Sequence, residues 1–274
     1  MTINGQTTSN MLTTTNTEWA ERFKDRIPHI FIGVVAFQDI ANEVYMDHIQ
    51  WFMQMAARLK GQFHVSIGVT RRMEQYRARN ELILNATKEG ADFLILLDDD
   101  QTLMSCPDMI EKFWQLGKPV AGGLYWQRKG HFHPVVMAQY TRPGDQTEGY
   151  RFLHPAELPT EPTPVDVLGG GCNWFEMSVF DRMAEPHWWP YPTSAVFVPD
   201  ETYGLDIQIC RRLREAGHEC WLHPGIKLGH VSQDRHVITE GTRPPQASLE
   251  QQPWYQEYWM NVESDTVSER HRVR

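Results

Sequence analysis

Hydrophobic residues fall into short runs that alternate with amphipathic segments. Residues 29–37 (HIFIGVVAF), 93–97 (FLILL) and 119–124 (PVAGGL) are apolar runs of strand length, typical of strands buried on both faces. Between them, residues 44–59 and 73–89 carry helical patterns, and the second is followed by Gly90. This alternation predicts an α/β fold with a mostly parallel sheet flanked by helices.

The second half of the chain predicts a less regular arrangement. Residues 131–164 gather Pro, Gly and polar residues and predict a hairpin or a long excursion. Ser105 and Asp108 resemble a capping box before a helix that ends near residue 116. Further elements are predicted at residues 63–69, 165–168, 172–177, 178–183, 206–216 and 220–228.

Three segments are predicted along the chain. Residues 1–27 are expected to form a flexible leader, residues 28–240 a single domain, and residues 241–274 an extended polar tail. The tail holds aromatic residues that could pack back or bind a partner: Trp254, Tyr255, Tyr258 and Trp259. Residues 184–201, which include Trp188, Trp189 and Tyr191, are expected to form a loop that moves over a site or covers it.

Composition narrows the classes of partner. A formal net charge of −9 argues against broad binding to nucleic acid or anionic lipid, which needs clustered Lys and Arg. No run approaches the roughly 20 apolar residues of a membrane span, so we expect a cytoplasmic protein with no membrane partner. Four separated cysteines form no CxxC pair and are expected to be reduced core residues.

Three aspartates follow the apolar run 93–97 directly. On an extended chain Asp98 and Asp100 point to one side and Asp99 to the other, so the first two can converge on one site. Two adjacent carboxylates repel each other, and a bound Mg²⁺ or Mn²⁺ would keep both ionised. The alternative is a solvated turn whose aspartates cap the next helix.

Two later residues could complete such a site. Asp206 lies in the first turn of a predicted helix, where the helix dipole stabilises a carboxylate, so a simple cap explains it as well as a catalytic role does. His230 follows the last predicted strand and could be a metal ligand or a structural residue. His131 and His133 could form a zinc pair, although no partners at metal-site spacing accompany them.

The order of these motifs resembles the GT-A glycosyltransferases, in particular family-2-like enzymes often encoded by bacteriophages. The resemblance covers about residues 28–232 and rests on RNEL at residues 79–82, GADFLILLDDD, VAGGLYWQR, GGGCNWFEMSVFDRM, LDIQICRRLREAG and HPGIKLGH. It implies a transferase that moves a sugar from a nucleotide-sugar donor, expected to be a UDP-sugar, to an acceptor hydroxyl with inversion.

The resemblance also implies roles for individual residues. Asp98 and Asp100 match the DxD motif and, with His230, would bind Mn²⁺ or Mg²⁺; Asp206 matches the general base. Contacts to the nucleotide sugar are expected from Ala36, Phe37, Arg79, Asn80, Asp98, Asp99, Gly170 and Gly171. Arg79 and Asn80 would lie where a helix begins.

One position departs from the family pattern. Leu205 stands where the family usually has Glu before the catalytic Asp, and Asp200 with Glu201 offers another placement of the acidic pair.

The acceptor is open between virion protein, polysaccharide and a hydroxymethylated DNA base, and the oligomeric state is not predicted. Other functions that fit the pattern are a nucleotidyltransferase and an inactive nucleotide-sugar-binding module.

Overall fold

The helices and strands alternate along the chain. The computed structural model describes residues 13–37, 40–128, 131–141, 148–183, 204–232, 234–253 and 255–256. The helices in these ranges are α1 Thr17–Arg22, α2 Asn42–Arg58, α3 Gln75–Lys88, α4 Met109–Leu116, α5 Leu205–Glu215 and α6 Gln246–Glu250. The strands are β1 His29–Ala36, β2 His64–Arg71, β3 Phe93–Asp98, β4 Gln101–Thr102, β5 Val120–Leu124, β6 Val136–Thr141, β7 Glu148–Phe152, β8 Thr163–Val165, β9 Val167–Leu168, β10 Cys172–Glu176, β11 Cys220–Lys227, β12 Gly229–Val231 and β13 Val237–Ile238.

Seven strands form the central sheet, in the order β2-β1-β3-β10-β5-β11-β8. Strand β1 is parallel to β2 and β3, and β11 is parallel to β5. Strand β10 is antiparallel to both of its neighbours, β3 and β5, and β8 is antiparallel to β11. Five strands therefore share one direction, and the predicted α/β fold with a mostly parallel sheet is confirmed.

The reversed strand β10 decides where the glycine run lies. Because β10 is antiparallel to β3, it begins at the edge where β3 ends, with Cys172 opposite Leu97. Residues 169–171 therefore lie beside the aspartate triplet, and the Asp98 N–H donates to the Gly171 carbonyl at 3.1 Å. A fully parallel strand at this place would carry the glycines to the opposite edge.

Helices cover both faces of the sheet. The residues of β3 from Phe93 to Leu97 are 0% exposed, and they alternate between two apolar clusters. Leu94 and Leu96 join the cluster formed with α3 and α5, while Phe93, Ile95 and Leu97 join the cluster formed with α1, α2 and α4. This double burial explains why the strand reads as an uninterrupted apolar run.

Helix α1 corrects the prediction of a flexible leader over residues 1–27, as far as the structure describes it. Trp19 and Phe23 are fully buried, and the Trp19 ring lies 4.6 Å from the Phe93 ring, edge to face. Trp19 Nε1 donates to Glu176 Oε2 at 2.9 Å, and Arg22 pairs with the other oxygen of Glu176 at 2.7 Å. A polar segment with only two apolar anchors shows little periodicity, so its packing is not visible from the sequence.

Two local details also differ from the expectations. Helix α4 begins at Met109, and the side chain of its N-cap residue Asp108 makes no capping hydrogen bond. Ser105 instead donates to the Lys227 carbonyl at 2.8 Å, so the predicted capping box is wrong. Helix α3 begins at Gln75, so Arg79 and Asn80 lie a full turn inside it rather than at its start. The buried residues Tyr76 and Ala78 pack this first turn against the apolar cluster, in agreement with the helical pattern predicted from residue 73.

Other predictions agree with the described residues. Strands β6 and β7 form an antiparallel hairpin within residues 131–164. All four cysteines are free and buried. Within the described part of the tail, Leu249 and Tyr255 are buried; Trp254, Tyr258, Trp259 and the loop 184–201 lie outside the described residues. None of the described helices combines the length and the hydropathy that a bilayer-spanning segment requires.

Replacement of Trp19 tests whether α1 belongs to the core. We expect Trp19→Ala to lower the free energy of unfolding by about 3–5 kcal/mol, since it removes a fully buried indole and leaves a cavity. Chemical denaturation measures the loss. The matched control is Glu18→Ala on the exposed face of the same helix, which should change little. A loss below about 1 kcal/mol for Trp19→Ala would show that α1 is dispensable.

A buried histidine predicts acid sensitivity of the contact between the hairpin and the tail. His133 is 1% exposed and its ring lies 5.5 Å from Phe152 and 5.4 Å from Tyr255. Burial lowers the pKa of His133 to about 3, with a further lowering from the nearby His131 and His154. The folded chain therefore keeps this ring neutral at pH values where the unfolded chain protonates it.

The free energy of unfolding should accordingly fall as the pH drops from about 6.5 towards 3, by up to about 1.4 kcal/mol per pH unit. Denaturation curves at several pH values measure this slope. We expect His133→Gln to flatten it, while the same change at the exposed His236 leaves it unchanged. Equal slopes in the wild-type chain and in His133→Gln would contradict the assignment.

Candidate functional site

The candidate site lies at the carboxyl edge of the central sheet. Strand β3 ends there at Asp98, strand β1 ends there at Ala36, and β10 begins there after residues 169–171. Ligands of open α/β sheets bind in the crevice outside the carboxyl ends of the strands, at the point where the strand order reverses. The position of Asp98 follows from the sequence, whereas the position of the glycines follows from the direction of β10.

A buried arginine connects two parts of this edge. Arg79 on α3 is 1% exposed, and its Nη2 donates to Asp98 Oδ1 at 2.6 Å and to the Gly170 carbonyl at 3.3 Å. A buried guanidinium is costly unless it is paired, so these two contacts fix both the carboxylate and the loop. Arg79 therefore donates hydrogen bonds to residues of the site, and its side chain is almost entirely shielded from solvent.

Asp206 meets the same loop from the other side. It lies in the first turn of α5, as predicted, and a Cβ built on Gly170 would be 2.6 Å from Asp206 Oδ1. Burial raises the pKa of Asp206, and the Arg79 charge and a hydrogen bond from the Gly170 backbone offset part of this rise. Leu205, at the position where the resemblance expects Glu, packs against the apolar cluster on this face of the sheet. Asp200 and Glu201 lie outside the described residues.

Negative charge is in excess at this edge. Burial raises the pKa of Asp98 to about 7; the Arg79 charge opposes this, while Asp100, Asp206 and Asp99 add to it. Burial outweighs the ion pair with Arg79, so the pKa of Asp98 is raised although the pair is short. Among the described residues, two guanidinium groups form ion pairs with these four carboxylates: Arg79 with Asp98 and Arg128 with Asp100. A bound divalent cation would neutralise the remaining negative charge.

Asp100 and His230 form a separate pair. His230 Nε2 lies 3.3 Å from Asp100 Oδ2, and His230 Nδ1 lies 2.8 Å from the Trp126 carbonyl oxygen. Because a carbonyl oxygen only accepts, Nδ1 donates to the Trp126 carbonyl, and Nε2 is the ring nitrogen that faces the Asp100 carboxylate. Burial tends to raise the pKa of Asp100, but His230 and Arg128 outweigh it and the pKa is lowered.

This pair fits a hard divalent cation. Asp100 Oδ1 is buried and has no hydrogen-bond partner among the described residues. A carboxylate oxygen and an imidazole nitrogen are donors that Mn²⁺ accepts, and Mg²⁺ is commonly held by one or two protein carboxylates plus substrate phosphates. Within the described ranges no three His, Cys, Asp or Glu side chains come together as a metal-binding group. The predicted third ligand, Asp98, forms an ion pair with Arg79, and its role in metal binding stays a prediction.

Two residues at the site were not predicted from the sequence. The Tyr125 hydroxyl accepts from the Gly171 N–H at 2.9 Å, and its ring lies 5.4 Å from the His230 ring, edge to face. Gln101 is fully buried, and its side-chain amide has no hydrogen-bond partner among the described residues. Tyr125 lies in the VAGGLYWQR segment and Gln101 follows the triplet, but neither position alone signals a contact with the glycines.

The remaining predicted residues line the same edge. Ala36 is fully buried at the end of β1, while Phe37 is 52% exposed and its N–H donates to Asp99 Oδ2 at 3.1 Å. Asn80 is buried on α3, next to Arg79 in the chain. Asp99 therefore points towards the end of β1, on the other side of the triplet from the contacts of Asp98 and Asp100. Their predicted contacts with a nucleotide sugar stay predictions.

The fold is distantly similar to those of several solved structures. The sequence matches no protein-family model and no curated protein. A197 from STIV is 13% identical, with a TM-score of 0.45 over 80% of this chain and 97% of that chain. A mutant Drosophila beta-1,4-galactosyltransferase 7 in complex with manganese, UDP-Gal and xylobiose is 13% identical, with a TM-score of 0.39 over 82% of this chain and 80% of that chain. A UDP-glucose pyrophosphorylase complexed with UDP-glucose is 6% identical, with a TM-score of 0.41 over 72% of this chain and 90% of that chain. With every TM-score below 0.5, these similarities do not establish a family or an activity for this chain.

A methyl group at Gly170 tests the packing of the site. A Cβ there would lie 2.6 Å from Asp206 Oδ1 and 2.8 Å from Arg79 Nη2, so one of these groups must move. We expect Gly170→Ala to lower the free energy of unfolding by about 1–3 kcal/mol. The control is Gly241→Ala, where the nearest described atom is Thr239 Oγ1 at 3.9 Å. Equal stability of the two variants in chemical denaturation would mean that the glycine loop does not contact Asp206 and Arg79 as described.

Proposed function

We propose that this protein is a metal-dependent glycosyltransferase of the GT-A type, which transfers a sugar from a nucleotide-sugar donor, with a UDP-sugar as the first candidate, to an acceptor hydroxyl. The observation that carries the proposal is the convergence of Asp98, Asp206 and Gly170 on Arg79 at the carboxyl edge of the sheet. The Asp100 and His230 pair lies on the same edge, connected through Tyr125.

The metal would be held by Asp100 and His230, whose donor atoms suit Mn²⁺ or Mg²⁺. Asp98, the last residue of β3 and two residues before Asp100, is proposed to take part in binding the metal and the donor diphosphate. When bound, a divalent cation acts as a Lewis acid that neutralises charge on the departing nucleoside diphosphate. Arg79 holds the Asp98 carboxylate and the glycine loop in one arrangement, so the donor site is formed before the donor arrives.

Asp206 is proposed as the general base. Its raised pKa moves the carboxylate towards the operating pH, which increases its ability to take a proton from an acceptor hydroxyl. The Gly170 backbone holds the carboxylate in position. Asp206 as a residue keeps part of its surface exposed to solvent, and we expect an acceptor to approach from that side. Attack by the deprotonated acceptor on the anomeric carbon would invert its configuration. The activity should be lost as the pH falls through this raised pKa.

Replacement of two aspartates tests the proposal. The purified chain is incubated with Mn²⁺ and radiolabelled UDP-sugars, with hydroxymethylcytosine DNA, polysaccharide or virion protein as acceptors. We expect Asp206→Asn to lower the transfer rate by about 10²- to 10⁴-fold, the range that a general base contributes, while donor binding is kept. Asp100→Ala should abolish the transfer that depends on Mn²⁺. The matched control, Asp25→Asn at an exposed position, should keep full activity.

The products separate the alternative functions. A glycosyltransferase releases UDP, whereas a nucleotidyltransferase forms a UDP-sugar and pyrophosphate from UTP and a sugar 1-phosphate, so both reactions are assayed. Donor binding with neither reaction would identify an inactive binding module. Wild-type transfer that survives Asp206→Asn would remove this residue as the base.

A further inference from the structure

Arg128 lies on the carboxylate that is proposed to hold the metal. This residue follows β5, and its Nη1 donates to Asp100 Oδ2 and lies 3.5 Å from the Val231 carbonyl oxygen. The same Asp100 oxygen faces His230 Nε2 at 3.3 Å. One carboxylate oxygen is therefore shared between a guanidinium and an imidazole, at the place where a cation would bridge Asp100 and His230.

The Arg128 guanidinium and a bound divalent cation cannot both interact fully with Asp100 Oδ2 at the same time. A metal bound to Asp100 and His230 would lie close to the guanidinium, and two positive charges at short distance repel each other. The side chain of Arg128 is 35% exposed, so it can turn to solvent without disturbing the core. The second oxygen, Asp100 Oδ1, is buried without a hydrogen-bond partner among the described residues, so Arg128 neutralises the carboxylate without satisfying it.

We propose that Arg128 is an internal competitor of the divalent cation: it neutralises Asp100 when the metal is absent and must release this carboxylate for the metal to bind. The inference rests on the proposed function and extends it to the regulation of metal binding. The affinity for the metal is then set by the difference between two interactions of Asp100. A donor diphosphate would favour the metal-bound state, since it offers the released guanidinium an anion.

The competing interpretation is that Arg128 supports metal binding by orienting Asp100. The two interpretations predict opposite signs for a variant that removes the charge. Removal of a competitor increases the metal affinity, whereas removal of an orienting group decreases it. Titration with Mn²⁺ alone separates them, because without nucleotide any contact between Arg128 and a diphosphate does not contribute.

The full chain and its variants are titrated with Mn²⁺ alone, and free Mn²⁺ is followed by electron paramagnetic resonance. We expect Arg128→Gln and Arg128→Met to bind Mn²⁺ about tenfold more tightly than the wild-type chain, within the usual range of coupling between two binding events. Arg128→Lys keeps the charge and should stay within a few-fold of the wild type. Asp100→Asn should lose binding.

A thermal-shift measurement adds a second readout that does not depend on activity. Without metal, Arg128→Gln should melt below the wild-type chain because Asp100 has lost its counter-charge, and Mn²⁺ should raise its Tm by more than it raises that of the wild type. Unchanged or weaker Mn²⁺ binding in both neutral variants would overturn the inference and leave the metal site intact. No Mn²⁺ binding in any form, wild type included, would overturn both the inference and the metal dependence of the proposed function.

Discussion

The buried guanidinium of Arg79 is the interaction on which the candidate site depends. A positive charge that is 1% exposed is stable only with partners, and its partners are the end of β3 and the glycine loop before β10. These two segments are more than 70 residues apart in the chain, yet one side chain spans them. Asp206 then contacts the same glycine, so three separate segments depend on one buried cation.

The direction of β10 makes this arrangement possible. An antiparallel strand in the middle of a largely parallel sheet begins at the carboxyl edge of β3, so the residues just before it, 169–171, lie where Tyr125 and Arg79 both contact them. A side chain on these glycines would meet atoms of Tyr125, Gln101, Arg79 or Asp206 at 2.9 Å or less. The absence of side chains is therefore a packing requirement at this place, and it allows the carboxylates to approach the loop closely.

Charge at the site is divided between two arginine-linked groups. Asp98 and Asp206 share the buried Arg79, whereas the more exposed Arg128 and His230 share the Asp100 carboxylate. The first group is held by packing and gives the site its shape. The second keeps a buried Asp100 oxygen that has no hydrogen-bond partner in the described part of the chain, and a partly exposed counter-charge, which is the arrangement expected of a position that exchanges one cation for another.

The local pattern of the sequence determined most of the elements: the apolar runs became β1, β3 and β5, the triplet lies at the end of β3, and Asp206 lies in the first turn of α5. These features depend on neighbours within a few residues, which periodicity and capping preferences report directly. Only the tertiary structure decided that β10 is reversed, that Asp98 forms an ion pair with Arg79, and that Trp19 closes the core. The reason is that each of these contacts joins residues distant in the chain, and the order of strands and the packing of helices, not local preference, set the distances between them.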